Sequence, residues 1–196
     1  MNIYADRIDR LRKLMEREHI GLYLIPMDDP HGSEYVADHF RCIEYMSGFT
    51  GSAGTLIVSM DGAWLYADGR YYVQAAAQIE GSTIELMKLA APNIPDPEEF
   101  IALKMDELIS RGSDEAFGFD GCVVNVRAAD KYISKISEKT GIDEDKISVC
   151  TSKDLAGQVW DQEGRIRQEF SKIWVMEEKY TGKSAASKLS DIRAEL

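Results

Sequence analysis

Ser47-Gly48-Phe49-Thr50-Gly51-Ser52-Ala53-Gly54-Thr55-Leu56-Ile57-Val58 opens the most informative stretch of the chain, which runs on to Ala67-Asp68-Gly69-Arg70-Tyr71-Tyr72. Gly48, Gly51 and Gly54, set among small residues, let a backbone turn tightly or approach another group closely. Thr55 to Val58 is a short apolar, β-branched run and reads as a buried strand. Asp61-Gly62 supplies a hairpin turn, Ala63 to Tyr66 the return strand, and Asp68-Gly69 a corner before a helix that begins near Arg70. The order is loop, strand, turn, strand, turn, helix, with one arginine at the last corner.

Working outward, Tyr4 to Glu18 carries Ile8, Leu11, Leu14 and Met15 at helical spacing. His19 falls at the end of that helix, where a cation suits the dipole, and Gly21 is the expected stop. Leu22 to Ile25 is a buried strand ended by Pro26. Asp28 to Asp38 is a polar loop, and Phe40 to Met46 a short helix. Beyond the hairpin, Tyr71 to Ile79 reads as helix and Thr83 to Leu89 as strand. Pro97 to Ile109 follows as a helix with Phe100, Leu103, Leu108 and Ile109 toward the core. Ala116 to Asp120 is a strand. A helix then runs from Asn125 or Val126 to about Lys139, with Ile133 and Ile136 inward and Gly141 as its stop. Lys146 to Cys150 closes as a strand. Helices alternating with strands around an internal hairpin define an α/β fold with a mixed sheet flanked by helices.

Length and composition set the class. A chain of 196 residues has the length for one good core, or for one domain and part of another. With 44% hydrophobic and 29% charged residues its composition is that of a soluble globular protein. The net charge of -11, from 23 basic and 34 acidic residues, argues against nucleic acid and anionic membrane as partners. Cys42, Cys122 and Cys150 are far apart and suggest neither a disulfide framework nor a zinc ribbon, so reduced thiols in a cytoplasmic protein are expected. The first residues lack the apolar core of a signal peptide, and no apolar run approaches the roughly 20 residues of a membrane helix.

Candidate chemistry is sparse. Asp28, Asp29, His31, Glu34, Asp38 and His39 are metal-ligand types crowded together, yet His-x-Glu and His-x-x-x-His spacings are missing and a solvated loop is the simpler reading. Ser33, Ser47 and Ser52 have no recognisable His-Asp arrangement, and Gly51-Ser52-Ala53-Gly54 is not a nucleophile elbow. Gly182-Lys183-Ser184 lacks the upstream glycine of a phosphate-binding loop. Arg70 is the sharpest candidate. Its pattern admits a salt bridge to Asp68 or an exposed helix-start arginine. An arginine in a first helical turn also opposes the dipole, which hints at placement for another purpose.

Ser33-Glu34-Tyr35, then Ser47-Gly48-Phe49-Thr50-Gly51-Ser52-Ala53-Gly54-Thr55, then Asp68-Gly69-Arg70-Tyr71, in this order and spacing, resemble the N-terminal domain of the three-domain Xaa-Pro aminopeptidases, in the creatinase/prolidase N-terminal group of peptidase family M24. The likeness is dense from about Pro26 to Ala77 and weaker, in register, from Tyr4 to about Trp160. It implies a mixed sheet with a ribonuclease H-like motif over residues 1–160. Residues 161–196 then become a linker and the truncated start of a second similar domain, with Tyr180-Thr181-Gly182-Lys183-Ser184 at its head. After Trp160 the family commonly has Arg-Pro, whereas Asp161-Gln162-Glu163-Gly164-Arg165 stands here. The resemblance implies a metal-dependent enzyme that removes an N-terminal residue preceding proline. Its two divalent ions, manganese or zinc, are held in an absent C-terminal domain, so no metal ligand and no catalytic residue is expected in this chain, which alone should be inactive. Arg70 is implied to reach the substrate, with Asp68, Tyr71 and the glycine loop positioning it. A peptide with proline at its second position, the chain's own C-terminal domains and a second copy in a homodimer are the implied partners, in the cytoplasm. The alternative is a stand-alone binding or interaction module that keeps the creatinase-type fold without catalysis.

Overall fold

A computed structural model describes residues 2–169 and 171–196; Met1 and Phe170 lie outside the described residues. The chain divides into two compact units, Met1–Ile166 and Arg167–Leu196.

The first unit is built on six strands: β1 (Ile20–Pro26), β2 (Gly54–Ser59), β3 (Ala63–Ala67), β4 (Glu85–Lys88), β5 (Ala116–Phe119) and β6 (Val149–Cys150). Their spatial order is β4-β3-β2-β1-β5-β6. The β1-β2 and β2-β3 pairs are antiparallel, and the other three pairs are parallel. Six helices accompany them: α1 (Ile3–Arg17), α2 (Cys42–Ser47), α3 (Tyr72–Gln78), α4 (Pro97–Ser110), α5 (Val126–Thr140) and α6 (Leu155–Asp161). This is the expected mixed α/β sheet flanked by helices.

Strand alternation splits the core into two layers. Tyr23, Ile25, Leu56, Val58 and Leu65 share one layer with Ile8, Leu11 and Met15 of α1 and Leu155 and Val159 of α6. Leu22, Leu24, Ile57, Phe117 and Phe119 face the other, against Phe100, Ile101 and Met105 of α4 and Ile136 of α5. Local chemistry starts the long helices where the chain needs them. Asn2 Oδ1 accepts from Tyr4 N at 2.9 Å, Asp96 from Glu99 N at 2.8 Å with Pro97 at the first helical position, and Asn125 from Ala128 N at 2.9 Å. Gly141 ends α5 at φ 73°.

Four local readings change. The stop after α1 is His19, at φ 54°, while Gly21 lies inside β1. A Cβ at Gly21 would sit 2.9 Å from Leu108 Cδ1 and 3.1 Å from Glu115 Cβ, so glycine is kept for a close approach rather than a turn. In α4 the inward stripe runs through Ile101, Ala102 and Met105 beside Phe100, leaving Leu103 and Ile109 half-buried. In α5 Tyr132, with its ring 5.8 Å from Phe117, packs where Ile133 was expected. The last strand shrinks to Val149–Cys150, because Glu144–Lys146 forms a 3-10 turn.

The second unit contains α7 (Glu178–Thr181) and α8 (Ala185–Glu195). Ser184 caps α8 by accepting from Ser187 N at 3.2 Å, and Lys183 pairs with Asp191 at 2.5 Å.

Candidate functional site

The glycine loop is closely packed, and a side chain at each of its glycines would strike a neighbouring ring. Gly48 takes φ 78°, ending α2, and a Cβ there would lie 2.5 Å from Tyr4 Cζ. At Gly51 the added carbon would lie 2.2 Å from Phe49 Cζ. Phe49 is buried and meets the Tyr71 ring edge-on at 5.7 Å. Ser52 Oγ and Tyr71 Oη are 2.8 Å apart, a contact that lowers the Tyr71 phenol. Thr50 N donates to Gln78 Oε1 at 3.1 Å, and the side-chain amides of Gln74 and Gln78 donate to Thr50 Oγ1.

Arg70 stands in the turn before α3, where Tyr71 N donates to Asp68 O at 2.9 Å. It is therefore outside the first helical turn, and the dipole argument loses its basis. Asp68 Oδ1 accepts from Arg70 N at 2.9 Å and from Nε at 3.1 Å, while Oδ2 accepts from Nη2 at 2.7 Å. Those bonds hold the Asp68 carboxyl below its usual range. The Arg70 side chain is 68% exposed, and its Nη1 has no hydrogen-bond partner among the described residues. The corner thus fixes one edge of the guanidinium and leaves the other in solvent.

Arg70 lines a cleft of about 420 Å³ together with Glu34, Tyr35, Arg41, Glu44, Gly51 and Ser52. Arg41 is itself held by Asp38, at 3.3 Å, and Glu44, at 3.6 Å. A second groove of about 480 Å³ shares Arg41, Glu44 and Thr50 with it and ends on Tyr45 and Trp160, whose rings stack at 4.9 Å. The Arg7 guanidinium lies 3.8 Å over the Tyr45 ring and donates to Glu163 at 2.7 Å.

The crowd of possible metal ligands is dispersed. Asp29 Oδ1 accepts from His31 N at 2.9 Å and Ser33 N at 3.1 Å, making a loop turn. His39 Nδ1 bonds Ile166 O at 2.7 Å, and Glu34 turns up on the Arg70 cleft. Among the described residues no group of three or more His, Cys, Asp or Glu side chains is arranged to hold a metal ion. These donors, turned apart by the loop, do not fit the two implied ions.

Sequence reasoning missed a buried polar cluster at the ends of β1 and β5. Arg165, with its side chain 6% exposed, donates to Asp154 at 2.6 Å, to His39 O at 2.9 Å and toward Cys42 Sγ at 3.6 Å. Tyr23 Oη donates to Lys153 O at 2.6 Å and accepts from Leu155 N at 2.9 Å. Burial raises the Asp120 carboxyl and pushes the Cys42 thiol up to about 12. A void of about 20 Å³ beside these groups has room for one water. The only sequence signal was the departure from Arg-Pro after Trp160; Arg165 and Glu163 are what that segment contributes to the first unit.

Residues 7–159 match the family described as the creatinase/prolidase N-terminal domain. A probable Xaa-Pro aminopeptidase P of Tuber melanosporum is 33% identical over 192 residues, covering 98% of this chain and 29% of the relative. A protein of the same description from Pyrenophora teres is 36% identical over 190 residues, covering 97% and 27%. The chain spans under a third of the length of these relatives. The X-prolyl aminopeptidase of Caenorhabditis elegans, a cytosolic enzyme with a di-nuclear active site, superposes with a TM-score of 0.75 at 24% identity, covering 98% of this chain and 31% of that one. The N-terminal domain of a cytoplasmic peptidase from Mycobacterium tuberculosis gives 0.53 at 22% identity, covering 79% and 98%. At these identities the structural likeness is one of fold. Among the described residues no helix is long and apolar enough to cross a membrane. The match over residues 7–159, carried on a mixed six-stranded sheet, places the chain in the creatinase/prolidase N-terminal domain family.

Proposed function

We propose that this chain is the N-terminal, non-catalytic part of a cytoplasmic, metal-dependent Xaa-Pro aminopeptidase, which removes an N-terminal residue that precedes proline. Residues up to about 160 form its first domain, and 161–196 lead into a second. The hydrolytic chemistry belongs to two divalent ions, manganese or zinc, in a further domain. This chain supplies one wall of the substrate site and contacts to its own C-terminal domains and to a second copy in a homodimer, with neither nucleic acid nor membrane as partner.

One observation carries the reading. Asp68 grips Nε and Nη2 of Arg70, leaving Nη1 without a partner among the described residues at the lip of an open cleft. A guanidinium fixed on one edge presents the other without first losing rotamer freedom, and so can donate to a peptide carbonyl or carboxylate. Asp68, Tyr71 and the glycine loop position it.

The test is Arg70→Ala in the full-length enzyme. The melting temperature should hold, because an exposed arginine paired at a surface turn adds little stability. The specificity constant for a peptide with proline second should fall about ten- to hundredfold, the loss of one charged hydrogen bond. Arg70→Lys should recover only part, since an ammonium lacks the planar fork. The 196-residue chain alone should release nothing in the same assay. Unchanged hydrolysis in Arg70→Ala would return Arg70 to a surface ion pair.

A further inference from the structure

Two hydroxyls on the wall of the Arg70 cleft bond each other. Ser52 Oγ and Tyr71 Oη are 2.8 Å apart, and neither side-chain oxygen has another hydrogen-bond partner among the described residues. Water would serve both groups at an open cleft, so the pair adds little stability. Its effect is to tie down the Tyr71 ring at its hydroxyl. The body of that ring is met edge-on by buried Phe49 at 5.7 Å. Gly51 and Gly54 allow the loop to close this tightly, since a Cβ at either would stand 2.2 or 3.1 Å from the Phe49 ring. Arg70 Cζ lies 5.2 Å from the centre of the Tyr71 ring. Asp68 holds Nε and Nη2 in the guanidinium plane, but a carboxylate and a guanidinium bonded edge to edge can still tilt together. A fixed ring closes one side of that tilt and adds a cation–π contact.

We infer that Ser52 is a positioning residue for Arg70: its hydroxyl holds the Tyr71 ring, and the ring holds the tilt of the guanidinium, so that the edge bearing Nη1 meets the cleft from one direction. This deepens the substrate-site reading above, and it rests on that reading for what Arg70 meets there. Asp68 sets the guanidinium in its plane, Tyr71 sets the plane itself, and Ser52 is the side chain through which the glycine loop acts on both.

The first test needs only the 196-residue chain, isotope-labelled for NMR. The shifts of the Arg70 δ protons report the ring current of Tyr71. Tyr71→Leu, which removes the ring, sets the far limit of their displacement, and the exposed Arg127 is the control. Ser52→Ala should carry the Arg70 shifts most of the way to that limit and leave Arg127 in place, whereas Ser52→Thr, which keeps the hydroxyl, should stay near wild type. The melting temperature should hold in both Ser52 variants. Unmoved Arg70 shifts in Ser52→Ala, or a threonine variant that behaves like the alanine one, overturns the inference. The second test is hydrolysis of Ala-Pro-Ala by the full-length enzyme. Ser52→Ala should lower the specificity constant about three- to tenfold, the loss of one neutral hydrogen bond, and should cost nothing further in an Arg70→Ala background, because Ser52 acts through Arg70. An equal fall in both backgrounds, or no fall in Ser52→Ala where Arg70→Ala is impaired, overturns it. Full hydrolysis by Arg70→Ala, with the NMR response as expected, sinks the substrate-site reading and leaves Ser52 as the residue that positions Arg70.

Discussion

Arg165→Ala tests how the segment after α6 is held. The wild-type side chain is 6% exposed and makes a charged bond to Asp154 at 2.6 Å, a bond to His39 O at 2.9 Å and a longer one to Cys42 Sγ, with its guanidinium 5.6 Å from the Trp160 ring centre. The charged bond is worth about 1.5–3 kcal/mol and the carbonyl bond about 1 kcal/mol. Removing one partner of a fully buried pair costs about 3–5 kcal/mol, because the other charge stays desolvated. Asp154 is 30% exposed and still accepts from Gly157 N at 2.7 Å, so water recovers part of that cost. We expect a loss of about 2–3 kcal/mol, near 5–10 °C in melting temperature for a unit of this size. Urea unfolding followed by tryptophan fluorescence reads it, with the exposed Arg127→Ala as control. Arg165→Met with Asp154→Asn should restore much of the loss, since a neutral pair of similar volume leaves no orphan charge. A loss in Arg165→Ala no larger than that of the control would refute the reasoning and make the cluster incidental.

Two further outcomes follow from buried groups. Tyr66 Oη is buried in the α4 layer with no hydrogen-bond partner among the described residues, so Tyr66→Phe should be neutral or stabilising by up to about 1 kcal/mol, whereas a clear loss in urea unfolding would mean the hydroxyl has a partner. Cys122 is exposed but its thiol is raised, first by the Asp120 charge, while Cys42 is buried with its thiol near 12. A maleimide at neutral pH should label Cys122 slowly, faster in Asp120→Asn, and reach Cys42 only on unfolding; mass spectrometry of the labelled peptides decides.

The sequence by itself determined the sheet, because its signals are local. β-branched runs, the Asp61-Gly62 turn and the capping residues Asn125 and Gly141 act within a few residues of themselves, and each element they mark is present. It also marked Arg70 and its pairing with Asp68, since two residues of separation bring them together at any tight corner. Helix faces were less legible. The apolar residues of α4 fit more than one stripe, and only packing against β1 and α5 selected Ile101 and Met105 over Leu103 and Ile109. Tertiary structure alone decided where Glu163 and Arg165 go, since their partners Arg7, Asp154 and His39 lie 11 to 156 residues away. The same holds for the acidic and histidine residues of 28–39. They are crowded along the chain, yet the fold sends Asp29 to a loop turn, His39 to the Ile166 carbonyl and Glu34 to the cleft, because neighbours in an irregular loop need not share a direction.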